Sequence, residues 1–190
     1  MHKSIIAAAF AATVAVIPTA AFAAPTVLTV DLERILNECT ACRAASATIQ
    51  SQVQQARTRA QTLEGQLKPE ATALQTAAEA LGGKPADAAL RKRASDFQAR
   101  QQAAQTELAN KQSSIESTQS NVQQQIGARV VQIAEQIRAR RQADLVMAKN
   151  STLASNPAGD VTGEVLAALN QQLPSVSVTP LPQQNRPAGR

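Results

Sequence analysis

Apolar and small residues recur at alternating steps of four and three along two long stretches of the chain. The first stretch places them at Ile35, Cys39, Cys42, Ser46, Ile49, Val53, Ala56, Ala60, Leu63 and Leu67. The second places them at Leu90, Ala94, Phe97, Gln101, Ala104 and Leu108, and continues to Ile137. This heptad spacing puts one apolar stripe on one face of a helix, so it predicts two long helices that pack through their stripes.

A turn signal separates the two stretches. Gly82-Gly83-Lys84-Pro85 cannot continue a helix, and Asp31 and Asp87 are suitable N-cap residues for the two predicted helices. We therefore expect an antiparallel helical hairpin over residues 32–143, with its tip near 82–86 and a kink at Pro69. Alanine and glutamine fill much of the stripe, so each turn buries little area and the arm should be marginally stable.

Short β-branched and apolar segments flank the hairpin. A first strand is predicted within residues 24–31, and a second begins after residue 143, with Thr152 to Ser155 as its hairpin partner. Asp160 should cap a short final helix, and residues 174–190, rich in Pro and Gln, should be disordered. The predicted fold is mainly α with a small β part, in which the hairpin stands on a base made from residues 24–31 and 144–173.

This base is too small to form a core by itself, so the sequence predicts that it is buried by oligomerisation. The residues expected at that interface share an apolar character and a place on a base strand or on the final helix. They are Val27, Val30, Leu145, Met147, Val161, Val165, Leu166 and Leu169.

The N-terminus has the three parts of a secretory signal peptide. Met1-His2-Lys3 is positive, residues 5–17 are apolar, and Ala21-Phe22-Ala23 is a small-x-small cleavage site. The sequence therefore predicts that residues 1–23 are cleaved and that the rest of the chain acts in an oxidising space, most simply the periplasm.

The predicted mature chain lacks the residues that most catalytic sites need. Removing residues 1–23 takes away the single histidine, and Phe97 is then the only aromatic residue. No Ser-His or Cys-His nucleophile and no His-containing zinc site can form, so we expect no enzyme activity, no metal and no cofactor. The full chain's net charge of +5 could suit nucleic acid, but export and the missing aromatic stacking platforms argue against that partner.

Cys39 and Cys42 form a Cys-x-x-Cys spacing, which occurs in redox enzymes, metal sites and simple disulfides. A redox site needs an electropositive helix start in a βαβ context, and a zinc site needs four ligands. The heptad context favours a structural role for Cys39 and Cys42, either as small apolar residues or as a local disulfide, because i,i+3 spacing on a helix lies within disulfide range.

A basic run, Arg91-Lys92-Arg93, lies near the predicted tip of the hairpin. It could attract acidic segments of a bound polypeptide or an anionic lipid surface. An ordinary solvated helix start explains the run equally well.

Two segments resemble the Skp/OmpH family of periplasmic chaperones. VLTVDLERILNE, residues 27–38, is similar to the family's opening strand and capped helix. ADLVMAKNSTLASNPAGDVTGEVLAALN, residues 143–170, is similar to its closing block, including the sequence Asp160-Val161-Thr162 before a hydrophobic helix. Only these two ends are specific, since the arms would match many Gln- and Ala-rich helices.

The resemblance implies a homotrimer in which the base strands form a small barrel and three hairpins enclose a cavity. Such chaperones hold unfolded outer-membrane proteins without ATP, and the arm residues expected to contact them are Leu63, Leu67, Leu74, Leu81, Leu90, Arg91, Lys92, Arg93 and Phe97. A lipopolysaccharide site found in some members is not expected, because residues 116–121 carry no cation. The alternatives are a structural coiled-coil scaffold of the envelope and a thiol oxidoreductase.

Overall fold

The computed structural model describes residues 25–182, so the predicted signal peptide lies outside the described residues. The elements follow in the order β1 (Val27–Val30), α1 (Leu32–Glu38), α2 (Thr40–Ala80), α3 (Ala88–Arg140), β2 (Leu145–Ala148) and α4 (Thr162–Gln172). Two 3-10 turns, Lys149–Ser151 and Pro157–Gly159, lie between β2 and α4. None of the helices between residues 25 and 182 combines the length and apolar character needed to cross a membrane.

The helices α2 and α3 form the long antiparallel hairpin. Gly82 and Gly83 have φ values of 55° and 87°, a left-handed backbone that favours glycine. Asp87 then caps α3, because its carboxylate accepts a hydrogen bond of 2.7 Å from the Leu90 N–H. With 53 residues, α3 is about 80 Å long.

Burial along the hairpin changes between its two ends. Near the base the stripe of α3 is buried at Ile115, Val122, Ile126, Val130, Ile133 and Ile137. Among the described residues between Ala104 and the tip, no apolar side chain of either helix is buried: the leucines and Phe97 are half-buried, and many of the alanines are exposed. An ion pair, in which Arg59 donates bonds of 2.7 and 2.8 Å to Glu107, joins the two helices just on the base side of this thinner part. The arm is therefore held less tightly as it leaves the base.

The first predicted helix is interrupted at Cys39, which the sequence analysis did not foresee. Cys39 has an extended backbone, φ −65° and ψ 138°, and it both ends α1 and begins α2. Just after the interruption, Ala45 is buried where the heptad pattern had placed Ser46, which is exposed. The expected single helix is thus two helices.

The base contains two parallel strands. Val27 pairs with Leu145 and Val30 with Ala148 in the same sheet. The prediction that residues 152–155 form a hairpin partner for β2 is wrong. The chain instead turns away after β2 and returns beside β1, where the Val161 N–H donates to the Thr29 carbonyl at 3.0 Å.

The helix α4 closes the core of the base. Val165 and Leu169 are fully buried, and Val161 just before the helix is 3% exposed. They pack with Ile35, Ile133 and other buried residues of α1, α2 and α3. The base is therefore built on the ends of the hairpin and shares one core with it.

The prediction of a disordered tail is wrong for the described residues 174–182. This segment runs along α3, and its main chain is bonded to side chains of Ser117, Asn121 and Gln125. Val176 and Val178 are half-buried against the core. A row of polar side chains on the helix satisfies the tail's backbone groups, which a proline-rich segment could not satisfy alone.

Gly159→Ala should destabilise the base, whereas Gly163→Ala should not. A Cβ at residue 159 would lie 2.9 Å from the Val27 carbonyl oxygen of β1, whereas a Cβ at residue 163 meets nothing within 4 Å. Because backbone must move to admit the methyl group, we expect a loss of about 1–3 kcal/mol for the first variant and little change or a small gain for the second. Urea unfolding of both variants checks this, and equal stabilities would contradict the close approach of the loop to β1.

Candidate functional site

The predicted interface residues of the base divide into two groups. Val30, Val161, Val165 and Leu169 are buried in the core of this chain. Val27 and Leu145, which are paired on the neighbouring strands β1 and β2, are 40% and 46% exposed. Met147 and Leu166 are half-buried. Only the exposed and half-buried members are therefore available to a neighbouring subunit.

An apolar face surrounds β2. Leu32 on α1 and Val131 on α3 are exposed like Leu145, and a groove of about 330 Å³ is lined by these residues together with Val130, Val146 and Met147. In the described part of the chain, β1 is the only strand beside β2. An open strand edge next to exposed apolar side chains is a typical docking surface for another chain.

The sequence Asp160-Val161-Thr162 fastens the loop of the base to β1 and α4. The Thr162 hydroxyl and N–H both donate to one carboxylate oxygen of Asp160, and Lys149 donates to the other at 2.9 Å. The Thr162 hydroxyl also accepts a bond of 2.9 Å from the Asp31 N–H at the end of β1. Together these bonds lower the pKa of Asp160 to about 2. The bonds from Thr162 make the largest contribution, and the bond from Lys149 makes the next largest.

Low pH should lower the stability of the folded base of the molecule, because Asp160 becomes protonated. Its pKa falls from 3.8 to about 2 on folding, so the bonded carboxylate stabilises the fold above pH ~4 and this contribution, about 2 kcal/mol, is lost as the pH falls toward 2. Asp160→Asn should be less stable at neutral pH and should lack this part of the pH dependence. Urea unfolding between pH 7 and pH ~2 measures both, and parallel curves for the two proteins would contradict the role of Asp160.

Cys39 and Cys42 are joined by a disulfide at the junction of base and arm. The Cys42 N–H donates to Cys39 Sγ at 3.0 Å, and the Asn170 side chain of α4 accepts from the Thr40 N–H at 2.9 Å. Both contacts cap the first turn of α2. The two cysteines are 0% and 6% exposed, so an attacking thiolate could not reach either sulfur without local opening. The arrangement suits a structural cross-link and not a thiol-exchange site.

Among residues 25–182, no three His, Cys, Asp or Glu side chains are grouped so that they could hold a metal ion.

The predicted contact residues of the arms divide into apolar residues of the helix stripes and the exposed basic run. Their apolar members, Leu63, Leu67, Leu74, Leu81, Leu90 and Phe97, are all half-buried. Part of each of these side chains is therefore accessible to a partner. Because this part of the seam contains no fully buried apolar residue among those described, it can open at low cost.

The basic run lies at the start of α3, on the solvated surface. Arg91, Lys92 and Arg93 are exposed, and Lys92 donates a hydrogen bond of 2.7 Å to Asp96 on the next turn. One of the three charges is thus matched within the helix. The run is accessible to an anionic partner, although a single exposed ion pair of this kind contributes little to stability.

A family model described as Outer membrane protein (OmpH-like) matches residues 26–169. The chain belongs to the OmpH-like family. The fold of this chain is similar to that of a Caulobacter crescentus CB15 protein, whose crystal structure is described as that of a candidate outer membrane chaperone (OmpH-like). The TM-score is 0.69 and the sequence identity is 21%. The similarity covers 90% of this chain and 99% of the other. No curated protein matches the chain.

A row of polar residues on α3, which holds residues 174–182 of this OmpH-like chain, was not predicted from the sequence. Ser117, Asn121 and Gln125 lie four residues apart, so they form a line on one face of the helix. That regular spacing beside the apolar stripe is a signal that could have been noticed. The docked segment lies beyond residue 169, where the family match ends.

Proposed function

We propose that the protein is a periplasmic holding chaperone that binds unfolded outer-membrane β-barrel proteins without ATP. Membership of the OmpH-like family supports a chaperone role. The observation that carries the proposal is the long helical hairpin whose outer half, from Ala104 to the tip, has a seam of half-buried apolar residues. Such a surface offers many weak apolar contacts without a fixed pocket, which suits unfolded chains of varied sequence. No chemical step is assigned to any residue.

The proposed working form is a homotrimer assembled through the base. The exposed Val27 and Leu145, with the open edge of β2, support an interface there. Three hairpins would then surround one client, and weak contacts summed over three arms hold a chain more firmly than one arm can. The exposed run of Arg91, Lys92 and Arg93 would be repeated three times, and could also contact an anionic lipid surface.

The direct test is suppression of aggregation. A β-barrel outer-membrane protein unfolded in urea is diluted into buffer with and without the purified protein, and light scattering is followed in the absence of nucleotide. We expect scattering to fall in proportion to the chaperone added until one client per trimer is reached. Unchanged scattering at a large excess of the protein would reject the holding function and favour the envelope scaffold instead.

A further inference from the structure

Residues 174–182 lie on α3 as an extended segment that is held by its main chain. Gln125 makes two bonds to one residue, since its amide oxygen accepts from the Ser177 N–H at 2.9 Å and its NH₂ donates to the Ser177 carbonyl at 3.0 Å. Asn121 donates to the Thr179 carbonyl at 2.9 Å, and the Ser117 hydroxyl accepts from the Leu181 N–H at 2.9 Å. We call Ser117, Asn121 and Gln125 the polar row.

Two side chains of the polar row also bond each other. The Gln125 NH₂ also donates to Asn121 Oδ1 at 3.1 Å within the same helix, so the two amides orient each other. The paired bonds from Gln125 to one residue copy the way a neighbouring β-strand pairs with a peptide group. A site that binds peptide groups in this way does not depend on the identity of the side chain at that position.

The docked segment alternates buried and exposed side chains. Val176 and Val178 are half-buried toward the core, whereas Ser175, Ser177 and Thr179 are exposed. Alternation of apolar and polar residues is the pattern of a strand of an outer-membrane barrel, whose lipid-facing and lumen-facing residues alternate. The segment that occupies the polar row therefore has the same pattern as the strands of the proposed clients.

We propose that the polar row is a binding site for extended client segments with alternating apolar residues, and that residues 174–182 occupy it until a client displaces them. The identity of the client rests on the proposed function. Because the tail is part of the same chain, its effective concentration at the site is on the order of millimolar. A single weak segment at micromolar concentration is thus excluded, whereas a client already held by the arms, or a free peptide at a concentration well above millimolar, can compete with the tail.

The test measures amide hydrogen exchange of residues 175–181 in the full chain by mass spectrometry. The probe is a short synthetic peptide in which valine alternates with serine, and its control has the same composition with the valines in one block. We expect saturating alternating peptide to speed exchange of the tail about tenfold, and the block peptide to have little effect. No acceleration, or equal acceleration by both peptides, would overturn the proposal.

Two matched variants test the role of the polar row itself. Gln125→Leu removes both bonds to Ser177 and should speed tail exchange about tenfold without any peptide, after which the alternating peptide should add nothing. Gln124→Leu makes the same change one residue away, at an exposed position, and should behave like the parent. If Gln125→Leu exchanges like Gln124→Leu, Gln125 does not hold the tail and the proposal fails.

Failure of this inference can be told apart from failure of the proposed function. If the parent protein suppresses aggregation while its tail stays protected from exchange at saturating client, the proposed role of the polar row is rejected and the proposed chaperone function is kept. If the alternating peptide displaces the tail but the protein suppresses no aggregation, the proposed peptide site is kept and the proposed chaperone function is rejected.

Discussion

Leu145→Asp should convert the assembled protein into monomers. Leu145 lies on the open edge strand β2 and is 46% exposed in the single chain, so in the proposed trimer it is covered by a neighbour. A carboxylate buried there without a partner loses its hydration, and we expect the dissociation constant to rise by at least about a hundredfold. Light scattering at micromolar protein should give one chain mass for the variant and about three for the parent.

Leu153→Asp provides the matched control for this experiment. Leu153 is fully exposed in the loop after β2 and lies outside the apolar groove that Leu145 lines. The same chemical change should therefore leave the mass of the assembly unchanged. If both variants stay assembled, the face around β2 is not the interface, and if both dissociate, the effect is not specific to that face.

Removal of the outer arm should weaken client holding strongly while leaving assembly intact. Residues 67–101 can be replaced by a Gly-rich turn, since the pairing of Arg59 with Glu107 sets the register of α2 against α3 just below the cut. The buried stripe from Ala104 to Ile137 and the whole base remain. We expect the shortened protein to assemble like the parent and to need at least about ten times more protein for the same suppression of aggregation, because multivalent contacts are lost.

The shortened protein distinguishes the chaperone hypothesis from the scaffold hypothesis. Its unfolding transition and mass should first show that the base is intact. Holding equal to that of the parent would then show that the arms do not carry the function.

A variant with Arg91, Lys92 and Arg93 all changed to Gln, which keeps the full arm, should lose only part of the capture of clients. The loss should appear mainly at low salt, where charges are least screened.

The long helices could be predicted because their signals are local and repeated. A heptad stripe extends over many turns, and the caps at Asp31 and Asp87 bond to residues three positions away in the sequence. The turn also needed only adjacent residues, since Gly82 and Gly83 adopt a backbone that other residues rarely adopt. Family membership followed from two short segments, and the family match over residues 26–169 confirms it.

The base and the tail depended on partners far away along the chain. The break at Cys39 is supported by Asn170, which accepts from Thr40 across 130 positions. The strand partner expected at residues 152–155 gave way to the segment at Asp160, whose bonds with Thr162 bring the loop beside β1.

The sequence by itself determined the two helices, their seam, the turn and the apolar character of the base. Only the tertiary structure decided that the chain breaks at Cys39, that β1 pairs with β2 in parallel, and that residues 174–182 lie on α3. The physical reason is the range of the interactions. Helix periodicity and caps act within a few residues, whereas the bonds of Gln125 to Ser177 join groups 52 positions apart that meet only after the hairpin has folded back.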